Sequence, residues 1–248
     1  MEGTTPKKAI SAIEAINNVF VSDARDRVDQ LNFDADELPT LISKLHTESD
    51  TGKVLIFFSY VEDRMFTLLK QLLRDISSKS EEDKLFGNNS PFGTFANKIT
   101  LSYHLGWISK RQRDKLHAMR CIRNAFAHGA FACSLSDNNL KGYVNTIQNG
   151  SLERLGRIID ALKEARYYEN EKDMMILSRP ISHQVLFLSS LVFLATDTFV
   201  ELLAFPAALE QGVSPGSLLN QKEFKPAVIA KIDETRALAV IKSLESGI

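Results

Sequence analysis

The stretch KVLIFFSYVEDRMFTLLKQLLRDI, from Lys53 to Ile76, decides the fold class of this chain. Its apolar residues recur every three or four positions, which is the spacing that places side chains on one face of an α-helix. Those positions are Leu55, Phe58, Val61, Met65, Leu68, Leu69 and Leu72. The pattern predicts a long helix over Lys53–Ile76 that belongs to a buried core.

The same helical spacing extends over most of the chain, and few residues alternate with the period of two that marks a β-strand. The sequence therefore predicts an all-α architecture. Further helices are predicted over Lys7–Arg27, after Asp36, between Ser90 or Thr94 and Gly106, over Ser109–Gly129, over Ser151–Glu171, over 182–205 and over Pro226–Leu244. Turn-forming residues predict loops over Ser77–Gly93 and Ser136–Asn149.

The order of these helices predicts three segments. Residues 1–30 form a polar lead and an N-terminal helix, and residues 31–205 form the main helical domain. Residues 206–248 begin with a stretch rich in Pro and Gly and end in a C-terminal helix. Because about twenty residues of helix cannot bury a core alone, that helix is expected to pack on this subunit or on a partner.

Composition limits the classes of function. The 248 residues are 44% apolar and 25% charged, as in ordinary globular proteins, and 30 Lys and Arg stand against 31 Asp and Glu. A net charge of −1 excludes a uniformly basic surface, so any anion site must be local. Two cysteines, Cys121 and Cys133, are too few for a disulfide framework, and no Cys/His cluster has zinc-ligand spacing. The N-terminus lacks the apolar run of a signal peptide, so a cytoplasmic location is expected. No metal or other cofactor is expected.

The most apolar run of the chain is VLFLSSLVFLATDTFVELLAF, from Val185 to Phe205. Its length would reach across a bilayer. Asp197 and Glu201 interrupt it, however, and each carboxylate costs roughly 2.5 to 3.5 kcal/mol on membrane-insertion scales. A buried helix of a helical bundle is the better interpretation, and no membrane contact is expected.

The clearest electrostatic feature is SKRQRDKLHAMRCIRNAFAHG, from Ser109 to Gly129. Six Lys and Arg residues against the single Asp114 give this helix a local charge of +5. At about 100° per residue, two separate faces result. Leu116, Met119, Ile122 and Phe126 form an apolar face, and Arg113, His117, Arg120, Asn124 and His128 form a cationic face.

Arg123 lies outside the cationic face. It precedes His128 by five positions, which is about 140° on a straight helix. Taken by itself, Arg123 is expected to be a structural cation at the edge of the apolar face. His128, taken by itself, is expected to stabilise the C-terminus of the helix, where a positive charge is favourable. The alternatives are a distorted last turn or a site completed by a second subunit.

Read as a pattern, Arg123-Asn124-Ala125-Phe126-Ala127-His128 resembles the RxxxxH motif of HEPN domains. The preceding stretch LFGNNSPFGTFANKITLSYHLGWIS, from Leu85 to Ser109, together with the arginine-rich helix, resembles the core of the mannitol operon repressor family, a HEPN-related all-helical group. The matching residues are Pro91, Phe92, Phe95, Lys98, Tyr103, Leu105, Gly106, Ile108, Ile122, Arg123, Asn124, Phe126, Ala127 and His128. Two positions differ from that pattern. Trp107 stands where the family usually has an aliphatic residue, and Lys98 stands where it often has arginine.

The resemblance implies a HEPN-like helical bundle with additional N- and C-terminal helices. It also implies a homodimer that cleaves single-stranded RNA without a metal, leaving 2′,3′-cyclic phosphate and 5′-hydroxyl ends, as toxins or defence enzymes do. Arg123, Asn124 and His128 would then be catalytic. Arg113, His117 and Arg120 would contact the RNA backbone, and Tyr103 and Trp107 are candidates for base stacking.

A second hypothesis follows from the same resemblance. Mannitol operon repressors modulate transcription, and this chain has no clear helix-turn-helix and nearly no net charge. A non-catalytic regulator that acts through a protein partner is therefore the alternative.

Overall fold

The computed structural model of the protein describes residues 37–73, 76, 78–129, 133–164, 178–210, 212 and 227–245. These ranges contain nine α-helices and no strand, so the all-α prediction is confirmed. The helices are α1 (Glu37–Leu45), α2 (Asp50–Leu72), α3 (Lys79–Phe86), α4 (Phe95–His104), α5 (Lys110–His128), α6 (Lys141–Gln148), α7 (Ser151–Glu164), α8 (His183–Glu210) and α9 (Ala227–Glu245). The helix predicted over Lys7–Arg27 lies outside the described residues.

Helix α2 is the predicted core helix. It begins at Asp50 because the Ser49 Oγ accepts a hydrogen bond of 3.1 Å from the Gly52 N–H, which caps the helix. It ends at Leu72, four residues before the predicted end. Five of the seven predicted core positions are buried, whereas Leu55 and Leu72 are only half-buried.

The loop predicted over Ser77–Gly93 is wrong in its first half, which contains α3. Ser78 and Glu81 form a capping box, in which the side chain of each residue binds the backbone N–H of the other. Phe86 then packs its ring 4.9 Å from that of Phe66 on α2. The prediction of a loop is correct only for the residues after Phe86.

The loop predicted over Ser136–Asn149 is also wrong, because residues Lys141–Gln148 form α6. Leu140 and Ile147 are 2% and 1% exposed, and Val144 between them is half-buried against the core. This short apolar stripe packs against α5 and α8. Gly150 follows with φ of 75°, and a Cβ there would lie 2.7 Å from the Arg111 guanidinium, so only glycine fits this turn.

Helix α5 has the predicted bounds. Ser109 caps its N-terminus by accepting from the Gln112 N–H at 3.2 Å, and Glu201 of α8 binds both the Ser109 N–H at 2.7 Å and the Ser109 hydroxyl at 2.8 Å. At the other end, Gly129 has φ of −80° and not the left-handed conformation that is common where helices end. Glycine is required there by close approach, since a Cβ would lie 2.7 Å from the Ala125 carbonyl oxygen.

Helix α8 contains the apolar run and is the centre of the bundle. It is long and apolar enough to cross a membrane, but 78% of its most apolar window is buried inside the protein. It packs against α2, α5, α6, α7 and α9. A helix with so many neighbours is apolar around most of its circumference.

The C-terminal helix α9 packs on this subunit, against α8 and α1. Ser189 of α8 and Ser243 of α9 are both fully buried and share a hydrogen bond of 2.6 Å. Pro206, where the linker was predicted to begin, lies inside α8, which continues to Glu210.

Glu201→Ala tests the attachment of α5 to α8. The change leaves the half-buried Ser109 N–H and hydroxyl without their acceptor, so we expect the free energy of unfolding to fall by about 1 to 2 kcal/mol. Urea denaturation measures it. Glu153→Ala, which removes an exposed carboxylate 3.6 Å from Arg157, is the matched control and should cost less than about 0.5 kcal/mol. Equal losses in the two variants would contradict a structural role for Glu201.

Candidate functional site

The two faces predicted for α5 are confirmed. Leu116, Met119, Ile122 and Phe126 are at most 5% exposed and belong to the core. The five residues of the cationic face are all at least partly exposed. The helix thus presents one side to the bundle and offers the other to a ligand.

Arg113 is the most strongly tied member of the cationic face. Its Nε and Nη2 atoms donate to Asp114 Oδ1 at 3.0 and 2.7 Å, and its guanidinium carbon lies 4.2 Å from the ring centre of Tyr103. Lys110 also binds Asp114, at 2.7 Å. Hydrogen bonds from Lys110 and then Arg113 lower the pKa of the Asp114 carboxyl, so this carboxylate balances part of the positive charge.

Arg120 differs from Arg113 because the described residues give it no carboxylate partner. Its Nε is buried and without a hydrogen bond in that part of the chain. Its charge acts on His117, one helical turn earlier. Burial, then the positive charges of Arg120 and Arg113, lower the pKa of the His117 imidazole. His117 is therefore mostly neutral at pH 7, and Arg120 is the cation of this face that no carboxylate among the described residues compensates.

The three predicted catalytic residues lie at the C-terminal end of α5. Arg123 is half-buried, with its guanidinium carbon 5.0 Å from the ring centre of Phe58 on α2, and its Nη1 donates to Asn124 Oδ1 at 3.2 Å. His128, the last residue of the helix, is exposed. The structure brings Arg123 and Asn124 together, whereas Arg123 and His128 share no hydrogen bond within the described part of the chain.

The aromatic candidates Tyr103 and Trp107 are half-buried and pack against the core. Tyr103 is covered on one side by Arg113. Lys98, at the position where the resembling family often has arginine, is 6% exposed and pairs with Glu62 of α2 at 3.4 Å. Tyr103 therefore supports Arg113 of the cationic face, and Lys98 ties α4 to α2.

Sequence reasoning missed a cleft of about 300 Å³ between the starts of α2 and α8, the segment 134–136 and α6. Its lining includes Asp50, Lys53, Ser134, Gln148 and His183. Asp50 accepts from the Ser134 hydroxyl at 3.2 Å and from the Leu135 N–H at 3.0 Å, and the Lys53 ammonium donates to the Glu48 carbonyl at 2.6 Å. Asp50 thus ties the start of α2 to the segment 134–136, and Lys53, which is 9% exposed, caps the carbonyl of the preceding turn.

Sequence reasoning also missed two buried polar residues on the inner side of α5. Gln112 and Lys115 are each 3% exposed. Gln112 donates to the Leu194 carbonyl at 2.7 Å and to the Thr198 hydroxyl at 2.5 Å, both on α8. The signal was present, because both residues fall within the arc of the apolar face at about 100° per residue. No described group of three or more His, Cys, Asp or Glu residues is arranged to hold a metal ion.

No protein-family model, curated protein or solved structure matches this chain.

The pKa of His117 can be tested directly. Because its folded pKa lies below the unfolded value of about 6.5, the unfolded chain binds more protons there, and the stability from the neutral imidazole is lost as the pH falls below about 6.5. We expect Arg120→Gln to raise the pKa of His117 in an NMR titration. Lys110→Gln, which removes one charge from the same helix, is the control and should leave it in place. A midpoint that does not move in Arg120→Gln would contradict the electrostatic effect of Arg120.

Proposed function

We propose that the protein is a HEPN-type endoribonuclease that works as a homodimer in the cytoplasm, where Cys121 and Cys133 remain free thiols. One observation carries the proposal. Arg123 with Asn124, and the exposed His128, complete the RxxxxH pattern at the accessible end of α5, the same helix that presents the uncompensated Arg120. A cation, an amide and an imidazole beside a local positive charge are the groups needed for metal-independent cleavage of RNA.

The reaction uses the nucleophile that RNA itself supplies. The His128 imidazole takes the proton of the ribose 2′-hydroxyl, because imidazole is the side chain that exchanges protons near neutral pH. The 2′-oxygen attacks phosphorus, a new P–O2′ bond forms, and the P–O5′ bond breaks. The leaving 5′-oxygen takes a proton from water, and the hydroxide that results takes a proton back from the protonated His128. The products are a 2′,3′-cyclic phosphate and a 5′-hydroxyl.

Arg123 stabilises the charge that develops on the non-bridging phosphate oxygens. Its planar guanidinium offers paired N–H donors, and its Nη1 is held by Asn124. Such a held donor reorganises little when the transition state forms. Asn124 is thus a positioning residue that aims Arg123.

The proposed dimer explains the separation between Arg123 and His128. The two residues lie about 140° apart around α5, so one phosphate cannot be contacted by both side chains of a straight helix. Two copies of α5 that face each other bring Arg123 of one subunit toward His128 of the other.

Arg120 and His117 extend this groove toward the middle of α5. Arg120 has no carboxylate partner in the described residues, so it is the strongest candidate of the cationic face for an RNA phosphate. Arg113 is already paired with Asp114 and contributes less. A single-stranded RNA would follow this row of residues along the helix.

One observation favours a second function. The Arg123 guanidinium is occupied by Phe58 and Asn124, as in an arginine that serves only to fix its helix. The protein would then be a non-catalytic regulator, similar to mannitol operon repressors, that acts through a protein partner. Pull-down from cells tests this alternative, and recovery of no partner counts against it.

Cleavage of a single-stranded RNA in the presence of EDTA tests the enzyme. We expect the wild-type protein to cut, and His128→Ala and Arg123→Ala each to lose at least about 100-fold in rate, because they lack the base and the phosphate donor. His104→Ala removes another exposed imidazole and should retain full activity. End analysis should find 2′,3′-cyclic phosphates. Absence of cleavage by the wild-type protein, or equal cleavage by His128→Ala, would overturn the proposal.

Subunit mixing tests the composite site. Arg123→Ala and His128→Ala are each inactive, but a dimer with one subunit of each keeps one site with an intact Arg123 and an intact His128. After subunit exchange we expect activity to return to about a quarter of the wild-type value, since about half of the dimers are mixed and each has one of two sites. No recovery, although exchange is demonstrated with labelled subunits, would place both residues of a site on one chain.

A further inference from the structure

The cleft between the starts of α2 and α8, the segment 134–136 and α6 is large enough for a small ligand. Its volume of about 300 Å³ is at the lower end of the range that small-molecule sites occupy. Ser136 and His183 are exposed, so the cleft opens to solvent on their side. Three residues from three different elements give it an apolar wall, namely Leu135, Val144 and Phe187.

Two opposite charges line the same cleft. Asp50 and Lys53 are three positions apart in the first turns of α2, a spacing that places both on one side of the helix. The two side chains share neither a hydrogen bond nor an ion pair. Each of them binds only uncharged groups in the part of the chain that the structure describes.

The bonds of Asp50 leave one of its carboxylate oxygens available. Oδ2 accepts from the Ser134 hydroxyl at 3.2 Å and from the Leu135 N–H at 3.0 Å. Oδ1 has no donor among the described residues. Asp50 is half-buried, and a carboxylate oxygen in such a place is a strong acceptor for an ammonium group.

Lys53 has the opposite requirement. Its side chain is buried, and its Nζ donates to the Glu48 carbonyl oxygen at 2.6 Å. An ammonium has three N–H donors, and the described residues supply Lys53 with no second acceptor and no carboxylate. Buried charges are normally paired, because their removal from water is costly. The cleft therefore holds a cation without an anion beside an anion without a cation.

We propose that this cleft binds a free α-amino acid with an apolar side chain. The ligand carboxylate accepts from the Lys53 ammonium, and the ligand ammonium donates to Asp50 Oδ1, so both contacts are charge-assisted. The ligand side chain packs on the apolar wall. The Gln148 amide, which also lines the cleft and makes no hydrogen bond within the described residues, offers further donors to the carboxylate.

The two protein charges exclude simpler ligands. A phosphate or a carboxylic acid without an amino group would satisfy Lys53 but leave Asp50 without a cation. An amine would satisfy Asp50 and leave Lys53 without an anion. Only a ligand that carries both charges close together satisfies the two residues at once.

Amino acid binding does not depend on the proposed ribonuclease activity. Asp50 and Lys53 belong to α2, whereas Arg123, Asn124 and His128 belong to α5. Because binding is measured without RNA, it can succeed or fail independently of cleavage.

Isothermal titration calorimetry of the full chain with L-leucine, L-valine and L-phenylalanine tests the proposal. We expect saturable binding of one amino acid per chain. For leucine, isocaproate lacks the ammonium and isoamylamine lacks the carboxylate. Each analogue should bind at least about tenfold more weakly, because one charge-assisted contact is lost. No saturable binding of any of the three amino acids up to about 10 mM, or binding of isocaproate as tight as that of leucine, would overturn the proposal.

Asp50→Asn removes the negative charge and keeps an oxygen that can accept from Ser134 and Leu135, so this variant should fold. We expect it to bind leucine at least about tenfold more weakly than the wild type, and isocaproate at least as tightly. Asp63→Asn removes an exposed carboxylate from the same helix and is the control, which should bind leucine as the wild type does. Unchanged leucine affinity in Asp50→Asn would contradict the proposed contact.

Lys53→Met tests the other charge and should also weaken leucine binding at least about tenfold. Lys44→Met, which removes an exposed lysine from α1, is its control and should leave the affinity unchanged. Circular dichroism checks that each variant is folded. If Lys53→Met does not fold, Asp50→Asn and the two analogues decide. Wild-type affinity in a folded Lys53→Met would overturn the proposal.

Discussion

Two carboxylates on an otherwise apolar helix determine how the bundle is assembled. Hydrophobic contact alone is non-directional, so it drives α8 into the centre of the protein without fixing its height or rotation against each neighbour. Glu201 fixes α5 by binding the first N–H and the hydroxyl of Ser109 at 2.7 and 2.8 Å. Asp197, one helical turn earlier, binds arginines from α7 and α9. Four helices thus take their relative positions from two side chains.

The attachment of α5 to α8 has a direct consequence for the candidate site. Helix α5 is held at its N-terminus by Glu201 and along its inner side by Gln112, which binds Leu194 and Thr198. The outer face is therefore presented in a fixed orientation. The six cations that give α5 its local charge of +5 do not form a single patch. Lys115 faces α8, and Arg113 is paired with Asp114. As far as the described ranges extend, the charge of the outer face that no carboxylate compensates is at Arg120.

The parts of the fold that the sequence predicts are those with local signals. The apolar periodicity of α2, the continuous apolar run of α8 and the caps Thr94 and Ser109 predict helices correctly, because each signal lies within the helix that it specifies or at its end. Helices α3 and α6 were predicted as loops because they are short and lie in stretches that also contain many turn-forming residues. A capping box stabilises α3, and α6 depends on contacts with α5 and α8. Intrinsic helix propensity is a weak predictor of a short helix that contacts with other helices stabilise.

The candidate site could also be predicted only in part from the sequence. The helical wheel correctly predicts which residues of α5 face outward, but it cannot show which cations are already paired. Asp114, the partner of Arg113, is adjacent in sequence, whereas Asp197 and Phe58 are distant from Lys115 and Arg123 and were joined to them only by the fold. Partners of opposite charge that lie far apart in sequence leave no local pattern to read.

The contacts of Arg123 show why an arginine followed by a polar residue suits the proposed reaction. Phe58 of α2 lies 5.0 Å from its guanidinium carbon, and Asn124 holds its Nη1 from one edge. A guanidinium has five donors, so these contacts leave N–H groups on its remaining edges for a phosphate. A lysine ammonium, which is strongly hydrated and not planar, could neither stack on the ring nor present two parallel donors. In the proposed enzyme, the contacts with Phe58 and Asn124 hold the Arg123 guanidinium in position for a phosphate; in the proposed regulator, the same contacts only fix the helix. The two proposed functions therefore differ in whether His128 of a second subunit lies at the free edge of this guanidinium.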